Sequence, residues 1–172
     1  MLEADLFDTQ RVELINGRVY RTSPQNDPHQ FAVGKLNRAL GRLVPENEML
    51  LVPGTLRLDA FTVVDPDLMW VAAPYGTPEH ERPRPLLLIE VSDTTYKKDS
   101  GIKLREYAKA GIRDYWIVNV RDARIEVCRS PLNPTGRLAD CGYRHIVHRG
   151  PGATVSPLER PDLTLKVDDL LP

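Results

Sequence analysis

The chain has 172 residues, 41% of them hydrophobic and 27% charged, and a formal net charge of −1. This composition is typical of a soluble globular domain, and no apolar run approaches the ~20 residues of a membrane span. The acidic start MLEADLFDTQ lacks the basic region of a signal peptide. We therefore expect one domain over residues 1–172, located in the cytoplasm. Its two cysteines, Cys128 and Cys141, lack zinc spacing and are expected to be reduced thiols.

Charge is unevenly distributed along the chain. Residues 86–150 contain 12 Lys and Arg against 8 Asp and Glu, a net charge of +4, whereas the segments on both sides are acidic. The overall charge gives no case for nucleic-acid binding, but the middle segment allows a local basic surface.

The hydrophobic period changes along the chain and predicts both strands and helices. Asn16-Gly17 predicts a hairpin, Pro28 the start of a helix, and Gly111 the end of another. The predicted elements, in chain order, are a hairpin at 12–20, a helix from about 28 to 44, strands at 49–58, 62–71 and 86–91, a helix at about 100–110, strands at 115–120, 123–129 and 143–148, and a short element at 163–172. This order predicts an α/β fold: a mixed central sheet flanked by helices, with an N-terminal hairpin and extra C-terminal strands.

Several common catalytic motifs are absent from the sequence. It contains no GxGxxG, GxxxxGK[ST], GxSxG or HExxH pattern, so dinucleotide, P-loop, serine-elbow and zincin chemistries lack support. His145 and His148 are three apart on a predicted strand and should point to opposite faces, which disfavours a shared metal. His80 is expected in the exposed loop at 77–85.

Two acidic residues interrupt apolar strands. Glu90 follows the unbroken run Leu86–Ile89, and Asp67 precedes Leu68–Val71. An unpaired buried carboxylate is costly, so proteins pair it, neutralise it or give it a metal. On neighbouring strands the two carboxylates can lie side by side, where oxygen ligands suit Mg²⁺ or Mn²⁺. We therefore predict a metal site at Asp67 and Glu90.

Asp65 competes with Asp67 for this role. Pro66 suggests that Asp65 lies at the entry of the strand or in a turn, because proline is confined to such positions. Asp67 leads directly into the buried run and is the preferred candidate.

The helix after Glu90 offers a cation. Asp99 and Lys103 are four residues apart, which allows an ordinary helix ion pair. The alternative is that the helix folds back over the sheet and brings the Lys103 ammonium beside Glu90, where it could orient or deprotonate water. Lys97 and Lys98 are expected to be exposed turn cations suited to phosphate contacts.

The residues around these acids resemble a known family. Pro66-Asp67, then IEVSDTT from Ile89, then KKDSGIKLREYAKAGIRDYWIVNV from Lys97 are similar to the Uma-type restriction endonuclease family of the PD-(D/E)XK nuclease superfamily. The ELINGRV hairpin and a histidine before the first helix, His29, resemble the family too. The likeness covers nearly the whole chain.

The resemblance implies a role for particular residues. Asp67 matches the Asp of PD and Glu90 the acid of (D/E)XK, and together with the backbone carbonyl of Val91 they would hold Mg²⁺ or Mn²⁺. Ser92 occupies the usual lysine position and cannot supply a cation, so the family lysine is expected at Lys103.

Further positions carry less specific matches. Asp99, His29 and Glu13 each match a residue of the family, and we expect them to support the site. The hairpin context of Glu13 is equally typical of an ordinary exposed strand residue.

The implied activity is metal-dependent hydrolysis of DNA phosphodiester bonds by an endonuclease, with a homodimer suited to cutting both strands. Two alternatives remain open at this point. One is a catalytically silent nucleic-acid-binding or regulatory module on the same fold. The other is a structural domain whose Asp67, Glu90 and Lys103 form a buried salt-bridge network.

Overall fold

The fold is built on a six-stranded mixed sheet. The computed structural model describes residues 11–22, 26–72, 85–134 and 136–172. The strands, in chain order, are β1 (Val12–Ile15), β2 (Arg18–Arg21), β3 (Glu48–Leu51), β4 (Leu56–Arg57), β5 (Val63–Val64), β6 (Leu68–Ala72), β7 (Pro85–Ser92), β8 (Asp114–Asn119), β9 (Arg124–Leu132), β10 (Gly142–Arg149), β11 (Thr154–Val155) and β12 (Leu165–Lys166). The large sheet has the order β10-β9-β8-β7-β6-β3, in which only β7 and β8 are parallel.

Two helical segments flank the sheet. Helix α1 (Asp27–Gly41) begins at the N-cap Asn26, whose side chain accepts a hydrogen bond from the His29 backbone N–H. The second segment runs from α2 (Tyr96–Lys98) through a π-helical turn (Asp99–Lys103) into α3 (Leu104–Lys109). In the π-helical turn between α2 and α3, the backbone hydrogen bonds join residues five apart, instead of four apart as in an α-helix.

The two faces of the sheet bury two separate cores. Helix α1 packs its inner side, including Leu36 and Leu40, against strand residues such as Ile89 and Trp116. On the opposite face α3 packs together with a four-stranded antiparallel sheet of order β2-β1-β5-β4. Because successive strand residues point to opposite faces, Glu90 faces α3 whereas its neighbour Ile89 faces α1.

The predicted fold class is confirmed in its sheet, its helices, its N-terminal hairpin and its C-terminal strands. Two predicted strands are each divided, at 49–58 and at 62–71, and the breaks coincide with Pro53-Gly54 and with Pro66. The second helix begins earlier than predicted, at Tyr96, and contains the unpredicted π turn. Of the predicted loop at 77–85, residues 77–84, with His80, lie outside the described residues, and Pro85 is the first residue of β7.

Other predictions concern residues away from the sheet centre. Cys128 and Cys141 are buried free thiols, and His145 and His148 are exposed on β10. No helix in the described ranges is long and apolar enough to cross a membrane.

Asp114 shows how this fold satisfies a buried carboxylate by purely structural means. Its Oδ1 accepts from Trp116 Nε1 at 3.0 Å and Arg129 Nε at 2.8 Å, and its Oδ2 accepts from the Leu158 backbone N–H at 2.7 Å. Because both oxygens have donors, the completely buried side chain ties β8 to β9 and to the C-terminal segment.

We predict that Asp114→Ala lowers the free energy of unfolding by about 3–5 kcal/mol, because it leaves Arg129 without its counter-charge and the Leu158 backbone N–H without its acceptor. Chemical denaturation monitored by circular dichroism measures the change. Asp140→Ala removes an exposed ion pair with Arg137 and should change stability little. Equal stability of the Asp114 and Asp140 variants would contradict this account of the network.

Candidate active site

A cleft of about 610 Å³ opens where the two sheets meet. Its walls come from β1 and the end of β2, from the first turn of α1, from the segment before β6, from the end of β7 and from α2 with the π turn. Asp67, Glu90, Val91, Asp99 and Lys103 all line it. Residues from both halves of the chain therefore meet at one opening.

Asp67 is fixed at the start of β6. The antiparallel register pairs Leu68 with Ile89, which places Asp67 beside Glu90. Its Oδ2 accepts a hydrogen bond from the Val91 backbone N–H at 2.8 Å, and both of its oxygens lie 3.2 Å from His29 Nε2. The carboxylate thus has a set orientation before any ligand binds.

The carbonyl of Val91 points to the same side as its N–H. The Ser92 carbonyl accepts from Val120 N on the β8 side of the strand. Because backbone groups of successive strand residues point to opposite edges, Val91 directs its own N–H and C=O towards Asp67. The backbone carbonyl predicted as a metal ligand is on the cleft side.

Glu90 is buried beneath the cleft with two donors on one oxygen. Its Oε1 accepts from Lys103 Nζ at 2.7 Å and from the Tyr107 hydroxyl at 2.6 Å. Lys103 and Tyr107 are four residues apart, one helical turn, so the helix presents both to the strand. Neither of these bonds uses Oε2.

Glu13 binds two lysines from the opposite wall. It lies on β1 of the smaller sheet and is only 2% exposed, so its alternative prediction as an ordinary exposed strand residue is wrong. Its Oε1 lies 2.6 Å from Lys103 Nζ and its Oε2 lies 2.7 Å from Lys98 Nζ. Lys98 is therefore not a freely exposed turn cation, whereas Lys97 is exposed.

Asp99 does not form the ordinary helix ion pair with Lys103. Its Oδ2 accepts from the hydroxyls of Ser92 at 2.7 Å and Thr95 at 2.5 Å, while Lys103 bonds to Glu90 and Glu13. The π turn separates Asp99 from Lys103, and the Asp99 carbonyl accepts both Leu104 N–H and the Tyr115 hydroxyl. Ser92, which occupies the usual lysine position, is used to hold Asp99.

The pKa values of Glu90 and Lys103 are raised, whereas the charges of Lys103 and Lys98 lower that of Glu13 despite its burial. Burial raises the pKa of Glu90 to about 8; the Lys103 charge opposes this and the carboxylates of Asp99, Asp67 and Glu13 add to it. Burial alone would lower the pKa of Lys103, but the charges of Glu90, Glu13 and Asp99 outweigh it and raise this pKa. Lys103 is therefore an ammonium near neutral pH, and it can donate hydrogen bonds but not accept a proton.

Comparison with known proteins places the chain in a family. The model of the family Uma2, described as "Putative restriction endonuclease", matches residues 2–168. The chain belongs to the Uma2 family. The resemblance noted in the sequence is thereby confirmed.

A solved structure shows the same fold as this Uma2 chain. It is the crystal structure of a protein described as a "putative nuclease belonging to DUF820" from Anabaena variabilis ATCC 29413. The TM-score is 0.64 at 16% sequence identity, over 92% of this chain and 88% of the other. At this identity the likeness shows the fold alone. No curated protein matches the chain.

The oxygen ligands at this site suit a hard divalent cation that the protein coordinates only in part. Asp67 and Glu90 offer carboxylate oxygens, and Val91 offers a carbonyl, which are the ligand types that Mg²⁺ and Mn²⁺ prefer. No group of three or more His, Cys, Asp or Glu side chains in the described ranges has the geometry to hold a metal. Mg²⁺ is commonly held by one or two carboxylates, with water and substrate filling the other positions.

The sequence analysis missed several residues that line or support the site. Tyr107 could have been found because it lies one helical turn after Lys103. Arg11 could have been found from the strand alternation, since it is two residues before Glu13 on β1 and lines the cleft. The roles of Ser92 and Thr95 depend on the π turn, which the sequence pattern did not predict.

We predict that Lys103→Met lowers the free energy of unfolding by about 1–3 kcal/mol at neutral pH, because the buried Glu90 loses its lysine donor and Glu13 keeps only Lys98. Urea denaturation measures the change. The double variant Lys103→Met/Glu13→Gln should regain part of the loss, since it removes the Glu13 charge that Lys98 alone must then balance. Lys109→Met, which removes a half-exposed lysine 4.0 Å from Asp59, is the matched control. A strictly additive double variant would contradict a shared network.

Proposed function

We propose that this chain is a metal-dependent endonuclease that hydrolyses phosphodiester bonds of DNA, and that residues 1–172 form a single domain. The observation that carries the proposal is the convergence of Asp67, Glu90 and Lys103 at one cleft, in a family described as restriction endonucleases. A cytoplasmic location and a homodimer that cuts both strands fit this activity and belong to the same proposal.

The charge of the site supports a divalent cation. Its inner part contains four acidic side chains and two ammonium groups, namely Glu13, Asp67, Glu90, Asp99, Lys98 and Lys103. Their formal charge is −2 once Glu90 loses its proton, which requires a pH above its pKa of about 8 or a bound cation. Like charges held this close are unfavourable without a cation between them. A divalent ion would neutralise the excess.

Asp67, Glu90 and the Val91 carbonyl would hold Mg²⁺ or Mn²⁺. The ion supplies Lewis-acid stabilisation of the charge that develops on the phosphate. His29 holds the Asp67 carboxylate in position from the first turn of α1. Tyr107 holds Glu90 through Oε1, which leaves Oε2 for the ion.

Lys103 positions the attacking water or a phosphate oxygen. An ammonium has three N–H donors, and two of them point to Glu90 and Glu13. The third is available to the cleft. Since the pKa of Lys103 is raised, the group contributes a hydrogen bond and positive charge and does not remove the proton from water.

Basic residues at the mouth of the cleft are suited to the DNA backbone. Arg11 and Arg21 line the cleft on the side of the small sheet. Arg11 lies 4.0 Å from Asp65, and Arg21 forms no ion pair within the described residues. These cations can contact phosphates on either side of the reacting one, as sequence-independent contacts.

We predict that Asp67→Asn and Glu90→Gln each abolish cleavage of plasmid DNA in Mg²⁺ or Mn²⁺ and weaken Mn²⁺ binding at least tenfold. Agarose gels measure cleavage, and isothermal titration calorimetry measures metal binding. Asp140→Asn, on an exposed turn, is the control. Undiminished Mn²⁺ binding in both variants would overturn the metal site. Metal and DNA binding without cleavage by the wild type would instead favour the catalytically silent module.

We also predict that Mn²⁺ affinity rises with pH and levels off above about 8, the pKa to which burial raises Glu90. The ion binds the deprotonated carboxylate, so below this pKa a proton competes and the affinity falls by up to about tenfold per pH unit. Calorimetry in buffers of different ionisation enthalpy should detect release of about one proton near pH 7. The Glu90→Gln variant should lose this pH dependence. An affinity independent of pH in the wild type would contradict the prediction.

A further inference from the structure

The outward face of α1 contains a large aromatic side chain, Phe31, that is exposed to solvent. The helix buries Ala32, Leu36 and Leu40 against the large sheet, so its opposite side faces solvent. Phe31 lies on that opposite side and is 68% exposed. Burying a phenylalanine is favourable by roughly 1.5–3 kcal/mol, so the fold gains little from this side chain where it lies.

A shallow groove runs along this face beside Phe31. Its volume is about 600 Å³, and its lining residues are Asp27, Gln30, Phe31, Gly34, Lys35 and Arg38. A Cβ added at Gly34 would meet no atom within 4 Å. The groove is therefore open beside Gly34, which lies about one helical turn after Phe31.

The groove continues into the catalytic cleft around the side of α1. Gln30 lines both the groove and the cleft, and the preceding residue, His29, contacts Asp67. A strand that leaves the cleft past Gln30 would cross the helix and reach Phe31 within a few nucleotides.

We propose that this groove binds an unpaired nucleobase stacked on Phe31, with a neighbouring phosphate at Arg38. The inference rests on the proposed nuclease function and specifies its substrate class: DNA that is single-stranded or splayed open beside the cleavage site. In a duplex both faces of each base are covered by its neighbours. An aromatic ring beside a cation is the usual platform for a base whose face is free.

The charges of the groove support a phosphate-bearing ligand. Arg38 is exposed and forms no ion pair within the described ranges, so its guanidinium is available to a phosphate. Lys35 adds positive charge, although its Nζ also donates to the Leu171 carbonyl. Asp27, in the first turn, is the only acid among the described residues that line the groove.

A protein partner fits this face less well. Within the described part of the chain, Phe31 is the only large apolar side chain that lines the groove, whereas stable protein interfaces bury about 800 Å² on each partner around an apolar centre. A second copy of the chain would also bring Lys35 and Arg38 close to the same residues of its partner.

The test compares wild type and variants for binding to a fluorescently labelled single-stranded oligonucleotide and to the corresponding duplex, in Ca²⁺ to suppress cleavage. Phe31→Ala should weaken single-strand binding about 5–150-fold, the equivalent of the usual stacking contribution of one base, and change duplex binding less than about twofold. Phe31→Trp should retain binding, and Phe31→Leu should not, because leucine has no aromatic face.

Phe61→Ala is the matched control. Phe61 is 66% exposed, nearly the same as Phe31, but it lies between β4 and β5 and lines neither the groove nor the cleft. The Phe61→Ala variant should bind the single strand and the duplex with the same affinities as the wild type. Gly34→Leu fills the groove without meeting any protein atom near its Cβ, and it should reproduce the loss seen in Phe31→Ala.

Stacking has its own spectroscopic signature. The fluorescence of a 2-aminopurine base placed in the single strand should be quenched when the wild type or Phe31→Trp binds, but not when Phe31→Ala binds. If Phe31→Ala binds the single strand as tightly as the wild type does, and the wild type cleaves DNA, the groove is not a nucleobase site. The proposed nuclease function would be unaffected by that result.

Two other outcomes are informative. If the wild type binds Mn²⁺ but neither form of DNA, the proposed function fails and the groove assignment fails with it. If Phe31→Ala abolishes a dimer seen by gel filtration and leaves strand binding unchanged, the groove is an interface between copies and the nucleobase assignment is wrong.

Discussion

The ammonium of Lys103 is the interaction on which the rest of this site depends. It lies between Glu90 of the large sheet and Glu13 of the small one, 2.7 and 2.6 Å from their oxygens. Without it Glu90 would lose its lysine partner and Glu13 would keep only Lys98, so the desolvation of both carboxylates would be less well compensated. A single cation therefore joins the two sheets and defines the inner end of the cleft.

Two buried acids in adjacent strands show how structural and functional carboxylates differ. Asp114 in β8 has donors on both oxygens, drawn from side chains and backbone, so it is satisfied within the fold. Glu90 in β7 receives both of its described hydrogen bonds on Oε1 and lines a cleft. Burial raises its pKa to about 8; the Lys103 charge opposes this rise, and the carboxylates of Asp99, Asp67 and Glu13 add to it. Both residues are buried, so burial does not distinguish them. They differ in whether both carboxylate oxygens accept hydrogen bonds.

Helix α1 connects the catalytic cleft to the outer surface of the protein. Its inner side packs on the sheet, and its first turn brings His29 to Asp67. Gln30 lies at the rim shared by the cleft and the outer groove, and Phe31 lies on the far side. Because the helix is anchored by its buried face, it holds His29 and Phe31 in a fixed relation to each other.

The sequence by itself determined the fold class and the principal candidates. The apolar runs ending at Glu90 and starting after Asp67 predicted two neighbouring buried strands, and the family motif around them indicated Lys103 as the cation. These inferences succeed because strand burial and motif spacing are local properties of the chain. The sequence could not determine that Glu13 is buried, that Lys98 binds it, or that Tyr107 reaches Glu90. Those contacts join residues from separate elements, and only packing of the two sheets creates them. Nor could local pattern reveal the π turn, since it depends on how Tyr115 and Ser92 meet the helix. Tertiary structure therefore decided which acids share the lysine, because a charge finds its partner through space and not along the chain.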